Sequence, residues 1–291
     1  MIQGILAAVA AVGCGLLYLW LAGAPLSLML INLVAFAIGL VLLVLTRTLA
    51  PLVQPHRGAL LIGLSVALVA TTLGGIAVEG ATRWIRIGSL AVQPSLVLVP
   101  VLITVYARHP GKITGAALAV SVLAIAAQPD RSVAAMLLAG AAAVACFRRT
   151  LNSTALAALA AAGLAWTLLQ PDRLPAMPYV DQILYTAWSS DPLAGLAVWI
   201  GTACLLLPAL FVWRSGQHVA AATFAAVWGA AVGSAALGNH PTPLVGYGGS
   251  AIVGYLLSLL AFGVRQDAET QGSALSRDDA PQEDRTGLNF A

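Results

Sequence analysis

The 291-residue sequence predicts an all-α fold: a polytopic membrane bundle of about ten transmembrane helices with both termini cytoplasmic. Three observations carry that prediction. The chain is 60% hydrophobic and 9% charged, against roughly a quarter charged in soluble domains, so a water-facing surface is excluded. Its charges are segregated, with eleven basic and five acidic residues in 1–264 and three basic and six acidic residues in 265–291. The sequence between the body's charges falls into apolar runs close to the ~20 residues a helix needs to cross the hydrocarbon core.

In chain order the runs lie near 2–22, 27–46, 58–78, 94–107, 112–128, 132–147, 151–170, 192–213, 217–237 and 249–264. The first has no basic residue ahead of it and no small-residue cleavage site leading into polar sequence, so it reads as a span and not a signal peptide. The second and third are separated by Arg47 and Arg57. The fourth and tenth are short, and Pro94 suits the first turn of the fourth, with Gln93 or a neighbour as its cap. The Asp130-Arg131 pair divides the fifth run from the sixth, and Arg148-Arg149 divides the sixth from the seventh. Four prolines (Pro171, Pro175, Pro178 and Pro192) break the segment before the eighth run. No connection is long enough for a separate soluble domain. Residues 1–264 therefore read as one transmembrane domain, and 265–291, polar with little to bury, as a disordered cytoplasmic tail.

Orientation follows from Lys and Arg in the short loops. Loops after even-numbered runs hold Arg47, Arg57, Arg108, Lys112, Arg148, Arg149 and Arg214, and those after odd-numbered runs hold Arg83, Arg86, Arg131 and Arg173. The even loops are thus cytoplasmic. All five acids of the body, Glu79, Asp130, Asp172, Asp181 and Asp191, fall in the outer loops. The basic balance reports membrane orientation and gives no reason to expect nucleic-acid binding. Cys14, Cys146 and Cys204 lie in apolar runs without metal-ligand spacing and read as small hydrophobes.

Three outer loops hold the unusual residues. In Glu79 to Ser95, Trp84, Ile85 and Ile87 alternate with Arg83 and Arg86, which suits either an interfacial anchor or a two-arginine cradle for a lipid phosphate. In Pro171 to Pro192, Asp191 directly precedes a span and reads either as a general base or cation ligand or as the N-cap of the next helix. Tyr185 and Trp188 are spaced like an interfacial aromatic pair. The third loop, Gly238 to Ser250, is so rich in Gly and Pro that at membrane depth it must fold back into protein. Its lone His240 has no second histidine at metal spacing.

The stretch G-A-T-R-W-I-R-I-G followed by Q-P-S (Gly80 to Ser95), with P-L-V-G-Y-G-G-S (Pro243 to Ser250), resembles the SEDS family of bacterial cell-wall proteins, FtsW, RodA and SpoVE. Their usual forms are G-A-R-R-W-I-x-L-G…Q-P-S-E and P-F-[IV]-S-Y-G-G-S-S. The resemblance implies a peptidoglycan glycosyltransferase that polymerises lipid II on the outer face of the cytoplasmic membrane, in division or cell-shape maintenance, beside a penicillin-binding transpeptidase. It implies a catalytic aspartate in the loop between the seventh and eighth spans, where Asp191 is the closest positional match; Asp191-Pro192-Leu193-Ala194-Gly195 also aligns with the family's earlier D-P-x-G segment, and on that alignment the catalytic aspartate is absent. Arg83 and Arg86 then face the pyrophosphate, and Trp84, Gln93, Pro94, Ser95, Tyr247, Gly248, Gly249 and Ser250 shape the substrate site. Positive charge on the leaving group comes from arginine or from a divalent cation. Leu96 and Val99 stand where the family carries Glu and Lys, and Gly246 where it carries Ser. Those departures support the alternative, a non-catalytic relative that binds lipid II or scaffolds the division or elongation machinery. Lipid II transport is a weaker third reading, because the spans hold almost no ionisable residue.

Overall fold

The computed structural model describes residues 1–88, 90–171 and 174–262; the tail expected over 265–291 lies outside the described residues. Met1–Ala261 forms one compact unit. Its helices are α1 (Ile2–Leu21), α2 (Leu26–Thr48), α3 (Ala50–Val53), α4 (Arg57–Gly74), α5 (Pro94–Arg108), α6 (Lys112–Ala127), α7 (Arg131–Arg148), α8 (Leu151–Leu169), α9 (Ile183–Ser190), α10 (Pro192–Arg214), α11 (His218–Leu237) and α12 (Gly249–Ser258). Among the described residues seven helices are long and apolar enough to cross a membrane. Pro94–Arg108, Lys112–Ala127 and Gly249–Ala261 are shorter apolar helices in the places of the fourth, fifth and tenth runs.

Lipid tails are as apolar as leucine, so helix association inside a bilayer rests on close packing and hydrogen bonds. The sequence supplies both. α5 and α12 pack against each other, with α2 on the far side of α12 and α7 and α11 flanking α5. At the α5–α12 contact a Cβ built on Gly254 would lie 2.0 Å from the Leu96 carbonyl oxygen. α1 lies along α10, where a Cβ on Gly201 would meet Cys14 at 2.9 Å. Inside α11 and α12, Phe224, Trp228 and Tyr255 stack edge-on, the indole N–H of Trp228 donating to Ser258 Oγ and the Tyr255 hydroxyl to the Leu205 carbonyl. Gly254→Ala should therefore cost about 1–3 kcal/mol, the usual penalty for overpacking a dense core, read as thermal unfolding of the detergent-solubilised protein.

One element departs from the helical expectation. The segment read as an interfacial anchor is a three-stranded antiparallel sheet, β1 (Ile76–Val78), β2 (Ala81–Ile87) and β3 (Leu90–Val92), in the order β1-β2-β3. Glu79 and Gly80 join β1 to β2 with φ of 49° and 85°, the positive pair that a tight two-residue hairpin turn requires. Trp84 pairs with Ile76, and Arg86 with Ala91. Side chains alternate faces along a strand, so Arg83 and Arg86 point to opposite sides. Arg83 is buried and Arg86 exposed. The two-arginine cradle does not form within this strand.

Candidate functional site

Four of the outer connections, three of them acid-bearing, are tied to one another. At their centre is Gln93, the residue before α5. Pro94 takes the first turn of α5, as expected, but Gln93 holds the N-cap position without capping through its side chain. Its Nε2 instead donates to Asp130 Oδ2 at 2.7 Å and to Ser95 Oγ at 3.3 Å, while its backbone N–H donates to Ser250 Oγ at 2.9 Å. Ser95 Oγ lies 3.4 Å from the same Asp130 oxygen. The other oxygen, Oδ1, accepts the Val133 N–H at 3.2 Å and so caps α7. Asp130 is 1% exposed. One carboxylate thus joins the starts of α5 and α7, and Gln93 extends the link to α12.

The last outer loop folds inward, as its Gly and Pro content predicts. Thr242 to Gly246 are buried, and a Cβ on Gly15 of α1 would meet the Val245 carbonyl at 2.6 Å. Asn32 of α2 clamps this loop, its Nδ2 donating to the Gly246 carbonyl at 3.1 Å and its Oδ1 accepting the Gly248 N–H at 3.2 Å. The Tyr247 N–H donates to the Tyr179 carbonyl at 2.8 Å, and Asp181 bridges to Pro241, so residues 179–181 sit against this loop. Asp181 Oδ2 accepts the Met177 N–H at 2.9 Å. Sequence reasoning missed Asn32, although an amide inside an otherwise apolar run was the available signal. Asn32→Ala strands one carbonyl and one N–H of a buried loop and should cost about 1–3 kcal/mol, with protease cleavage near Gly246 as a second readout.

Asp191 is the single residue between α9 and α10. Its backbone is extended, with φ −162° and ψ 134°, and Pro192 follows in the first turn. Oδ1 accepts both the Leu193 N–H at 2.7 Å and the Ala194 N–H at 3.2 Å, leaving Oδ2 outside the cap. Trp188 packs flat on Gly195, where a Cβ would come within 2.2 Å of the indole, so the α9–α10 corner is fixed. Ile183, Leu184, Ala187, Ala194 and Val198 bury that corner against Tyr18, Leu19, Ala235 and Val245. Asp191 is half-buried, whereas Asp130 and Asp181 are buried. Its hydrogen bonds run into α10 and not to the Gln93–Asp130 cluster.

Arg83 projects from the inner face of β2. A guanidinium N–H donates to the Pro129 carbonyl, and Cζ lies 5.9 Å from the centre of the Trp84 ring. Arg83 lines a cleft of about 220 Å³ with Glu79, Gly80, Pro129, Gln170 and Pro171; Asp191, Trp84, Arg86 and Tyr247 are not in its wall. The structure therefore joins Gln93, Ser95 and Ser250 directly, holds Tyr247 and Gly248 on the neighbouring loop, and leaves Arg83 and Asp191 in separate surroundings. Among the described residues His, Cys, Asp and Glu form no group of three able to hold an ion.

The sequence matches no family model and no curated protein. The arrangement of helices does match solved structures. The rod shape-determining protein RodA of Thermus thermophilus superposes with a TM-score of 0.60 and 22% identity, over 89% of this chain and 93% of that one. A chain of a peptidoglycan synthase complex, described for its coordination of polymerization and crosslinking, gives a TM-score of 0.61 and 21% identity over 92% of this chain and 99% of that one. The chain has the RodA fold. Within this RodA fold the departures from the family motifs have local reasons. Leu96 and Val99 are buried, and Leu96 abuts Gly254, so the places of a charged pair are taken by apolar packing. A Cβ on Gly246 would meet Ile183, the Thr242 carbonyl and the Tyr179 carbonyl, each at 3.2 Å, so the loop has closed over the space of a serine side chain.

Proposed function

We propose that this chain is a SEDS-like cell-wall protein that binds lipid II at the outer face of the cytoplasmic membrane and polymerises it, with Asp191 as the proton acceptor. In that reaction an acceptor sugar hydroxyl attacks the anomeric carbon of a second lipid II. The new bond to carbon forms as the bond to the pyrophosphate oxygen breaks; the hydroxyl proton passes to a carboxylate, and undecaprenyl pyrophosphate leaves. A base must reach the substrate hydroxyl. The observation that carries the reading is that Asp191, unlike the buried Asp130 and Asp181, is accessible, with one oxygen fixed by a helix start and the other outside that cap. Arg86, exposed on one face of the hairpin, and Arg83, buried on the other, are its candidate sources of positive charge. The fold's likeness to a chain of a peptidoglycan synthase complex supports a penicillin-binding transpeptidase as partner.

The separation of Arg83 from Asp191 favours the second reading, a lipid II-binding or scaffolding protein without catalysis. Incubating the purified full chain with its cognate transpeptidase and lipid II separates the two. Glycan strands longer than the substrate are the expected product; retained lipid II binding with no strand formation would establish the second reading instead.

A further inference from the structure

The helix ends opposite the outer loops carry an arrangement that neither the fold nor the proposed reaction uses. α7 closes on Phe147 and Arg148 with Arg149 as its C-cap, α10 closes on Trp213 and Arg214, and α11 opens with His218. These three ends meet. The Phe147 and Trp213 rings lie edge to face with centres 6.0 Å apart, and the His218 ring lies 4.5 Å from that of Trp213. Both aromatic side chains are exposed, as are Arg149, Arg214 and His218. α7, α10 and α11 are each long and apolar enough to cross a bilayer, so their ends lie at the depth of lipid headgroups.

Arg149 stands at a costly backbone position. It ends α7 in the left-handed region, with φ 51° and ψ 34°, where helices ordinarily place Gly because a Cβ crowds the neighbouring carbonyl. Its own hydrogen bond to the fold is a long one, from Nε to the Cys146 carbonyl at 3.4 Å. The preceding Arg148 is turned instead to the end of α5, donating to the Ala107 carbonyl at 3.1 Å. A strained residue that adds little to the fold points to a task for its side chain outside it. Arginines beside exposed aromatic rings at headgroup depth suit an anionic lipid, whose phosphate meets the charges while the rings lie along the upper acyl chain. By the loop count this is the cytoplasmic side, which holds seven of the body's eleven basic residues and none of its five acids, and the cytoplasmic leaflet is the one with a negative surface potential.

We infer that the ends of α7 and α10 and the start of α11 form a site for an anionic phospholipid of the phosphatidylglycerol class, phosphate toward Arg149 and Arg214 and upper acyl chain along Phe147 and Trp213. The inference does not rest on polymerase activity. The full chain is reconstituted in nanodiscs of equal phosphatidylglycerol and phosphatidylethanolamine, extracted, and its retained lipid counted by native mass spectrometry. The wild type is expected to retain phosphatidylglycerol preferentially. Arg149→Gly and Arg214→Gln should each lower that retention about fivefold, the scale of one basic residue beside an anionic surface. Arg149→Gly should do so without lowering the unfolding temperature in lipid-free detergent, since glycine is the usual residue at a left-handed helix end; Arg214→Gln serves where that variant does not fold. The double variant Arg149→Gly, Arg214→Gln should lose more than Arg57→Gln, Lys112→Gln, which removes the same charge from the same side at the starts of α4 and α6. Equal loss in these two double variants overturns the assignment, because the charges then act only as a diffuse basic surface. Unchanged retention in both Arg149→Gly and Arg214→Gln also overturns it. So does equal retention of the two lipids by the wild type, the result expected if the acidic 265–291 segment takes this surface.

Discussion

Asp191→Asn is expected to abolish glycan strand formation while leaving the protein folded. Asparagine caps a helix as well as aspartate does, so the two bonds from the Leu193 and Ala194 N–H groups to Oδ1 survive the change. The ability to accept a proton does not. General-base catalysis contributes about 10²- to 10⁴-fold, and strand formation should fall by that factor, followed as glycan length after incubation with lipid II. Unfolding temperature in detergent should stay near that of the wild type. Asp191→Ala is the weaker test, because it also removes the cap of α10 at about 1 kcal/mol and mixes the two effects. Strand formation by Asp191→Asn at the normal rate would reduce Asp191 to a cap and send the search for a base elsewhere.

The cap that Asp191 forms on α10 was already legible from its position, one residue ahead of Pro192 and an apolar run. The transmembrane helices were legible for the same kind of reason. Burial in lipid forces continuous apolar runs and pushes charge to their ends, and both signals are local in sequence. The β1–β2–β3 sheet was not legible, since its strands are short and its Trp-Ile-Arg-Ile stretch fits a strand and an interfacial anchor equally. Only the Glu79-Gly80 pair hinted at a hairpin. That difference changes the site, because a strand places Arg83 and Arg86 on opposite faces where an irregular anchor allows both to face headgroups. Pairings between distant positions left no trace in the sequence either. Gln93 and Asp130 are 37 residues apart and Asn32 and Gly246 are 214 apart, and neither apolar periodicity nor loop charge says which polar residue meets which.

The Gln93–Asp130 pairing leads to the largest stability effect expected in this molecule. Asp130→Ala removes the cap of α7, worth about 1 kcal/mol, and leaves the buried Gln93 amide without its 2.7 Å acceptor, a further cost of about 1–3 kcal/mol. The combined loss of about 2–4 kcal/mol should appear in thermal unfolding of the detergent-solubilised protein. It should also loosen the start of α12, because Gln93 is what connects Asp130 to Ser250. Asp130→Asn retains an oxygen for the Val133 N–H but turns an amide donor toward the Gln93 donor, so it should fall between the alanine variant and the wild type. Gln93→Leu provides the control, since it removes the donor and leaves the cap in place. If the hydrogen bond is the source of the effect, the Asp130→Ala, Gln93→Leu double variant should be less unstable than the sum of the singles by about 0.5–3 kcal/mol, the range for residues in contact. Strict additivity would mean that Asp130 acts through the α7 cap alone and that the outer loops are held together by the Asn32 clamp and backbone contacts instead.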